Sequence, residues 1–565
     1  MSKILDSYRA VVADLTAPGA PFQMVQAEIN GVTIRLFKEA PDNLSEIFER
    51  AAKDMGDCPL AAEGERVITT GEAVQQARRL SAALQTEYGV RPGDLVGIIS
   101  RNRPEYLIAF MAVTRIGAVA VLYNSRSAPD EIEAAARDVI CKIAIADEKR
   151  ATLLRQAGLD MPIIEIGEDG GGMFADLVAD GRPEGEAVAV APEAPAAILF
   201  TSGTTGRPKG ATLTQRNLCH MAFNAGFFRA SGLGMAARMM NVDTATLAKM
   251  APPMSSLLIF PLFHVSGLTT FMMSLQVGGL MTTMRRWNAA EAMDIIEKRG
   301  VSFLTGPALV LVDLLDQPNA SQRLAHVVNV GVGGQATPGS LAARLSAALP
   351  NAQRGDGWGM TELSGAASAA SGALYAARPN SCGRRSPVLD VRTIDGSGNP
   401  LPPGEVGELC VRGPMTMSGY WNAPEATAAA ITDGWMHTGD IGRVDEDGFV
   451  FLVDRKKDMV ICAGENIYCA EVERVLSDPE SVTEVALFGV PDERLGERAI
   501  AAVTVRKGYA CTTEELIAVA RSRLADYKVP SEIVFDLGPL PRNTMGKIDK
   551  VAVLNRYLAR IGEIA

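Results

Sequence analysis

Ala196-Ala-Ile-Leu-Phe-Thr-Ser-Gly-Thr-Thr-Gly-Arg-Pro-Lys-Gly210 joins a short apolar run to a loop of glycines, hydroxyl side chains and two cations. Glycine lets successive backbone N–H groups point at one anion, and the hydroxyls add further donors. The stretch therefore predicts a strand followed directly by a loop that binds polyphosphate. We expect the phosphate contacts to come from Thr201, Ser202, Gly203, Thr204, Thr205, Gly206 and Lys209.

Two other interpretations of the loop were weighed against a phosphate site. A flexible turn has a similar composition. A P-loop requires Gly-x-x-x-x-Gly-Lys followed by Ser or Thr, whereas Lys209 stands between Pro208 and Gly210. The loop also offers no base or nucleophile. Phosphate binding would therefore follow another scheme, and the catalytic groups must lie elsewhere in the chain.

Composition narrows the class of protein. A chain of 565 residues suggests several packed units, and a net charge of −11 gives no electrostatic support for a nucleic-acid partner. The eight cysteines contain no Cys-x-x-Cys pair, which is typical of reduced thiols in the cytoplasm, and neither they nor the four histidines have zinc-ligand spacing. The first residues lack the apolar region of a signal peptide. We therefore expect a cytoplasmic protein.

Two apolar stretches, 107–123 and 257–281, have the length of membrane spans. Arg115 interrupts the first, while Pro261 and His264 interrupt the second. Because charged and helix-breaking residues are costly within a bilayer, we interpret both as buried elements of a globular protein without a transmembrane segment.

Periodicity in the first half alternates between helix and strand. Helices are expected over 43–55, 71–88 and 104–116, and strands over 94–100 and 118–122. This alternation indicates a parallel sheet covered by helices. The predicted fold class is α/β, with a large N-terminal domain of helix-covered β-sheets plus a small β unit.

A second segment of alternating helices and strands begins near residue 286, with a helix at 290–299 and strands at 301–304 and 326–330. The last strand runs into Gly331-Val-Gly-Gly-Gln-Ala336, which matches a dinucleotide-binding pattern. No acidic residue is clearly placed about 20 positions later, so we discount that function and keep only close approach of the backbone to a ligand.

The pattern of predicted secondary structure changes again in the last third of the chain. Short strands and turns after residue 390 predict the small β unit, and a basic cluster at 454–458 precedes an α+β tail. Thr512 and Glu515 form a capping box for a late helix. We therefore expect a large domain over 1–454 and a small mobile domain over 455–565.

Four further motifs follow the loop in one order: Trp358-Gly-Met-Thr-Glu362, Trp435-Met-His-Thr-Gly-Asp440, Asp454-Arg-Lys-Lys-Asp458 with Gly464-Glu-Asn-Ile467, and Pro541-Arg-Asn-Thr-Met-Gly-Lys547. With these motifs the chain resembles an acyl-CoA synthetase of the adenylate-forming superfamily over roughly residues 40–555. The resemblance implies two reactions. ATP and a carboxylic acid give an acyl-adenylate and pyrophosphate, and coenzyme A then displaces AMP.

The resemblance assigns roles residue by residue. Lys547 would bridge the carboxylate and the α-phosphate, Thr361 would contact that phosphate, and Glu362 would bind Mg²⁺. Alone, Lys547 is an ordinary solvated lysine and Thr361-Glu362 an ordinary helix start. Further nucleotide contacts are expected from Gly333, Asp356, Gly357, Trp358, Gly359, Met360, Asp440 and Arg455, with Trp358 stacking on adenine and the Asp440–Arg455 pair on the ribose.

The same resemblance predicts the acyl and CoA sites. His264 would contact the substrate carboxylate, although a lone histidine in an apolar run is more often a core residue. Glycines are expected to leave room for a bulky acyl group, in a pocket formed by His264, Val265, Gly331, Gly333 and Gly357. Lys457 aligns with the superfamily's hinge. CoA would be bound by Ala463, Gly464 and Glu465, with Ala463 standing where relatives carry glycine.

Three questions stay open from the sequence. The substrate is a fatty, aryl or other bulky carboxylic acid, and the assembly is a monomer or homodimer. The acceptor could instead be a carrier protein acting in trans, or the chain could bind nucleotide without catalysis. A methionine-rich stretch over 226–254 could line a lipid-sized pocket, touch a membrane, or be ordinary packing in an insertion.

Overall fold

A computed structural model describes residues 2–159, 161–201, 208–333, 339–456, 458–462, 465–492, 494–543 and 547–564. It has the predicted α/β architecture. Two large helix-covered sheets and a smaller antiparallel sheet occupy the chain up to residue 455, and a separate α+β unit follows.

The first large sheet has seven strands among the described residues, five of them parallel. Its short central strands are buried on both faces, as parallel strands under helices require. In spatial order they are β20 (Gly419–Tyr420), β10 (Lys209–Thr214), β9 (Pro195–Thr201), β6 (Val119–Leu122), β5 (Leu95–Ile99), β7 (Ile143–Asp147) and β8 (Ile163–Ile166).

The second large sheet has nine strands in the described part of the chain and is parallel in its middle. Antiparallel pairs close both edges. In spatial order the strands are β17 (Arg384–Arg385), β16 (Gly365–Ser371), β15 (Gln353–Met360), β14 (Asn329–Val332), β13 (Phe303–Gly306), β11 (Ser255–Leu258), β12 (Leu280–Thr283), β3 (Pro59–Glu63) and β4 (Arg66–Thr69).

The remaining strands form three antiparallel units. A hairpin pairs β1 (Met24–Ile29) with β2 (Val32–Phe37). The small β unit contains β18 (Asp390–Ile394), β19 (Gly407–Arg412), β21 (Ile431–Thr432), β22 (Trp435–Val444) and β23 (Val450–Arg455). The C-terminal sheet contains β24 (Val460–Cys462), β25 (Glu465–Ile467), β26 (Val482–Asp492), β27 (Gly496–Val505) and β28 (Glu532–Val534), of which β28 is parallel to β27.

Helices cover both large sheets and the C-terminal sheet. They are α1 (Ser2–Thr16), α2 (Leu44–Met55), α3 (Thr70–Thr86), α4 (Pro104–Arg115), α5 (Pro129–Asp138), α6 (Glu148–Gln156), α7 (Met173–Val178), α8 (Gln215–Met240), α9 (Thr244–Met250), α10 (Val265–Val277), α11 (Ala289–Arg299), α12 (Ala308–Leu315), α13 (Ala320–Arg323), α14 (Gly339–Ala348), α15 (Gly372–Ala377), α16 (Pro424–Ala430), α17 (Cys469–Leu476), α18 (Thr513–Arg523) and α19 (Lys550–Ile564), with short 3₁₀ turns at Glu168–Gly170, Thr361–Leu363 and Asp526–Lys528.

Local signals explain where many of these helices begin. The Asn43 side chain caps α2, and Pro104 stands in the first turn of α4, where its missing N–H costs nothing. The capping box expected at Thr512 and Glu515 is present at the start of α18. Helix α4 is buried on all sides beneath the central strands, so the first long apolar stretch is a core element.

Two strands are displaced from their expected positions. The strands expected at 301–304 and 326–330 are found at Phe303–Gly306 and Asn329–Val332. Tertiary contacts explain the shift, because Val301 bonds back to the end of α11 and the His326 ring donates to the Ile296 carbonyl at 3.0 Å. Among the described residues, the model has no helix that combines the length and the apolar character needed to span a bilayer.

Candidate active site

A single cavity of about 2840 Å³ opens at the carboxyl ends of the parallel strands and extends to the small β unit and the C-terminal unit. Sites for one small ligand usually measure about 300–1,000 Å³. This space is therefore large enough for more than one substrate. We refer to it as the cavity throughout.

The cavity brings together most of the site residues expected from the sequence. Those that line it are Thr201, His264, Val265, Gly331, Gly333, Asp356, Gly357, Trp358, Gly359, Met360, Thr361, Glu362, Asp440, Arg455 and Lys547. Lys209 and Glu465 are described but do not line it. Ser202, Gly203, Thr204, Thr205, Gly206, Lys457, Ala463 and Gly464 lie outside the described residues.

Asp440 is fixed from two sides. The Trp358 indole N–H donates to its Oδ2 at 2.7 Å, and the Arg455 Nε lies 3.3 Å from its Oδ1. The second contact follows from sheet pairing, since β22 and β23 place Asp440 and Arg455 opposite each other. Trp358 is only 4% exposed, so its ring both lines the cavity and braces the carboxylate.

Glu362 is held by a tyrosine that the motif search did not include. The Tyr420 hydroxyl donates to the Glu362 Oε1 at 2.9 Å, and the Lys209 ammonium lies 5.2 Å from the centre of the Tyr420 ring. A cation over an aromatic face is attracted by the ring quadrupole. Tyr420 therefore contacts both Lys209, through its ring, and Glu362, through its hydroxyl.

His264 is the N-cap of α10, and its Nδ1 accepts the Ser266 backbone N–H at 3.3 Å. Burial and then the nearby Lys547 cation lower the pKa of His264 to about 4. The ring is therefore neutral at physiological pH. With Nδ1 acting as an acceptor, the proton of the neutral ring lies on Nε2, available as a donor to a substrate carboxylate.

Lys547 comes from the C-terminal unit, yet it lines the same cavity as His264. Its backbone N–H donates to the Asn543 side chain at 3.1 Å. The exposed Glu465, expected at the CoA site, lies on the edge strand β25 of that unit and outside the cavity lining. In this arrangement Lys547 lines the cavity and Glu465 does not.

Asp356 lines the cavity beside Trp358 and accepts the Gly357 N–H at 2.8 Å. Burial raises the pKa of Asp356 to about 6, and the hydrogen bond from the Gly357 backbone offsets only part of this effect. A carboxyl of this kind is a ready acceptor for the exocyclic amine of a purine.

The glycines of the expected acyl pocket differ in how closely their neighbours approach, and a Cβ at Gly331 would meet no atom closer than 3.6 Å. A Cβ at Gly333 would meet the Phe260 ring at 2.8 Å, and one at Gly357 would meet the Ser368 carbonyl oxygen at 2.9 Å. These positions require glycine because neighbouring groups approach closely. Small residues on α8, among them Ala225, Gly232 and Ala236, also line the cavity.

The methionine-rich stretch forms α8 and α9. Met235, Met240, Met250 and Met254 line the cavity, and Met240 and Met250 are also largely exposed. Four of the five methionines thus line the cavity, while Met235 also packs in a core cluster and Met239 is exposed outside the cavity lining.

A group of three His, Cys, Asp or Glu side chains that could hold a metal ion is absent from the described residues. Glu362 nevertheless suits Mg²⁺, a hard cation that binds through one or two carboxylates and substrate phosphates. Its side chain is buried, with Tyr420 orienting one of the two oxygens.

Sequence reasoning did not identify Tyr420, which bonds to Glu362, or Arg229, which lines the cavity. Tyr420 follows a glycine in a turn-like segment, and Arg229 stands in the middle of a long helix. Neither position carries a local signal, because each matters only through partners or space supplied by distant segments.

Comparisons with known proteins agree with this geometry. Residues 48–421 match the family model described as "AMP-binding enzyme", and residues 471–547 match "AMP-binding enzyme C-terminal domain". A feruloyl-CoA synthase from Amycolatopsis sp is 34% identical over 498 residues, covering 87% of this chain and 95% of the relative.

A second relative comes from Rhodococcus jostii strain RHA1, a methyl-dioxo-octahydro-indenyl-propanoyl:CoA ligase. It is 30% identical over 536 residues, covering 91% of this chain and 98% of the relative. The ATP-bound crystal structure of MatB from Rhodopseudomonas palustris superposes with a TM-score of 0.79 at 26% identity, covering 91% of this chain and 99% of that one.

Proposed function

The chain belongs to the AMP-binding enzyme family, and from that membership we propose that it is an acyl-CoA synthetase for a bulky fatty, aryl or other carboxylic acid. The reaction is ATP-dependent ligation of an acid to CoA through an acyl-adenylate. One observation carries the assignment of residues: Lys547 of the C-terminal unit lines the same cavity as His264, Thr361 and Glu362 of the large unit.

The first half-reaction joins two anions, so its barrier is mainly electrostatic. A carboxylate oxygen attacks the α-phosphorus, an O–P bond forms, and the bond to the β-phosphate breaks as pyrophosphate leaves with the electron pair. Lys547 and the Nε2–H of His264 hold the carboxylate, and the Thr361 hydroxyl contacts the α-phosphate. Fixed donors and cations of this kind stabilise charge without reorganising.

Glu362 is the residue we assign to Mg²⁺, which when bound would neutralise phosphate charge. Tyr420 orients this carboxylate, while Lys209 and the loop at 201–207 serve the pyrophosphate end of ATP. Asp356 and Trp358 contact the adenine, and Asp440 accepts hydrogen bonds from the ribose hydroxyls. The short contact between Trp358 and Asp440 supports this division, because it couples the base and ribose positions.

The second half-reaction needs a different orientation of the small unit. The CoA thiol loses its proton, its sulfur attacks the acyl carbon, and AMP leaves with the shared oxygen. We assign the hinge to Lys457 and the CoA contacts to Ala463, Gly464 and Glu465. The position of Glu465 outside the cavity while Lys547 lines it supports a rotation between the two steps.

Two observations support a bulky substrate. The cavity is larger than a nucleotide needs, and its acyl side is bounded by methionines that adapt to irregular ligands. The relatives that act on feruloyl and methyl-dioxo-indenyl-propanoyl groups also handle bulky acids. Because all eight cysteines are free thiols, we also propose a cytoplasmic location.

ATP–pyrophosphate exchange across a panel of aryl, fatty and alicyclic acids tests the proposal. We expect exchange to require both an acid and Mg²⁺, and the best acid to give acyl-CoA when free CoA is added. Exchange without acyl-CoA would favour a carrier-protein acceptor. Nucleotide binding without exchange for any acid would contradict the enzyme assignment.

A further inference from the structure

One face of α8 forms a wall of the cavity. Its residues recur every three or four positions, so they lie one above another along the helix. Those with this spacing are Ala225, Arg229, Gly232, Ala236 and Met240, and Phe228, Ser231, Leu233 and Met235 of the same helix also line the cavity. Three of the first five are Ala or Gly, and Arg229 is the one charged residue among the α8 side chains that line the cavity.

Arg229 has no hydrogen bond or ion pair with any residue that the structure describes. Its surface is accessible, but that surface faces the cavity, and loss of solvent lowers the pKa of its guanidinium. By contrast, the cavity-lining Arg344 is paired with Asp316 at 2.5 Å. The N–H donors of this exposed guanidinium are therefore available to a ligand in the cavity.

Contacts between α8 and α10 locate Arg229 along the cavity. The Thr269 hydroxyl contacts the Met221 sulfur at 3.4 Å, and a Cβ at Gly226 would meet the Gln276 side chain. The two helices therefore run side by side in the same direction, away from His264 at the start of α10. At about 1.5 Å per residue, Arg229 stands roughly 12 Å farther along than Met221.

We propose that Arg229 recognises an oxygen function, a carboxylate or a carbonyl, carried by the acid substrate at the end remote from the carboxylate that is activated. This inference rests on the proposed function, and it narrows the substrate class to bulky acids with a second acceptor group. A carboxylate would make the stronger contact, because guanidinium binds it through two parallel hydrogen bonds. A carbonyl would accept one.

The test compares acids of equal chain length that end in a methyl group, a methyl ketone or a carboxylate, over a series of lengths. The readout is kcat/KM in ATP–pyrophosphate exchange for the wild type and Arg229→Met. We expect the wild type to prefer an oxygen-bearing acid, and Arg229→Met to reduce that preference about 10- to 100-fold, the scale of one charged hydrogen bond. Arg229→Lys should retain part of it.

Arg238→Met is the matched control, because Arg238 lies on the same helix, is exposed and is paired with Asp14. It should leave the preference unchanged. A wild type that prefers methyl-ended acids at every length, or an equal preference in the wild type and Arg229→Met, would overturn the inference while leaving the proposed function intact. Absence of exchange with every acid would instead overturn the proposed function, and this inference with it.

Discussion

The two ends of the cavity differ in how their side chains are held. At the nucleotide end, Asp440 is bound by Trp358 and Arg455, and Glu362 by Tyr420. At the end where we propose that the acid binds, the lining side chains of α8 and α9 include small residues, methionines, Phe228 and two leucines, and Arg229 has no hydrogen-bond or ion-pair partner among the described residues. Polar contacts hold the side chains at the nucleotide end, whereas the side chains named at the other end bound open volume.

This difference reflects two tasks. Charge stabilisation needs groups that are already in place, since reorienting them would consume the energy they supply. Selection of an acid needs volume and a few anchors, which packing residues set. Substitutions at the two ends should therefore change different kinetic quantities.

The largest expected effect is at the nucleotide end, in Lys547→Ala. We expect adenylation to fall about 10²- to 10³-fold, the scale for losing one fixed charge contact, because two anions would approach without this cation. ATP–pyrophosphate exchange measures this step. Thioester formation from supplied acyl-adenylate should remain largely intact, and the exposed Lys149→Ala should affect neither step. Equal losses in both half-reactions would contradict the two-orientation mechanism.

At the acyl end, Ala236→Leu should lower kcat/KM for the bulkiest accepted acid by about 10- to 100-fold, because the added side chain occupies cavity volume. Short acids and the KM for ATP should change little. Steady-state kinetics over a length series checks this. Met239→Leu, at an exposed position of the same helix, is the control. A uniform loss for all acids would show that the two ends are not separable.

A smaller effect is expected for Tyr420→Phe, which removes the hydroxyl bound to Glu362. A single hydrogen bond contributes about 0.5–1.5 kcal/mol, so the Mg²⁺ concentration for half-maximal exchange should rise about 2- to 10-fold. The preference among acids should be unchanged. Tyr509→Phe, at a half-exposed position in the C-terminal unit, should behave as wild type. An altered acid preference without a shift in Mg²⁺ dependence would contradict the assignment of Glu362.

The last effect is on folding stability and concerns His264, which lines the cavity. Its pKa is about 4 in the folded protein against 6.5 ordinarily, so its neutral form stabilises the fold above pH 6.5 and that contribution is lost as pH falls toward 4. Between pH 6.5 and 4, thermal unfolding of His264→Asn should depend less on pH than that of wild type. His437→Asn is the control. Parallel curves for wild type and His264→Asn would contradict a buried, neutral ring.

The motifs identified side chains that share one cavity, but they did not indicate that α8 forms part of its wall. Trp358, Glu362, Asp440 and Lys547 were all identified from local sequence, and all line the cavity. Of the glycines expected in the acyl pocket, Gly333 and Gly357 accommodate close neighbours, whereas a Cβ at Gly331 would meet no atom closer than 3.6 Å. The alanines and glycine of α8 that line the cavity have no distinctive pattern in a helical sequence.

By itself, the sequence determined the α/β fold class, the helix caps and the ordered motifs, because these depend on residues only a few positions apart. Only the tertiary structure decided which side chains brace the site. A side-chain hydrogen bond joins Trp358 to Asp440 across 82 positions, and Tyr420 reaches Glu362 across 58. Strand β9 ends at Thr201, where the predicted polyphosphate loop begins, and the cavity that Thr201 lines is completed by Lys547 from the far end of the chain. Local sequence cannot predict this arrangement, because these residues come together only when separate hydrophobic faces pack in the folded protein.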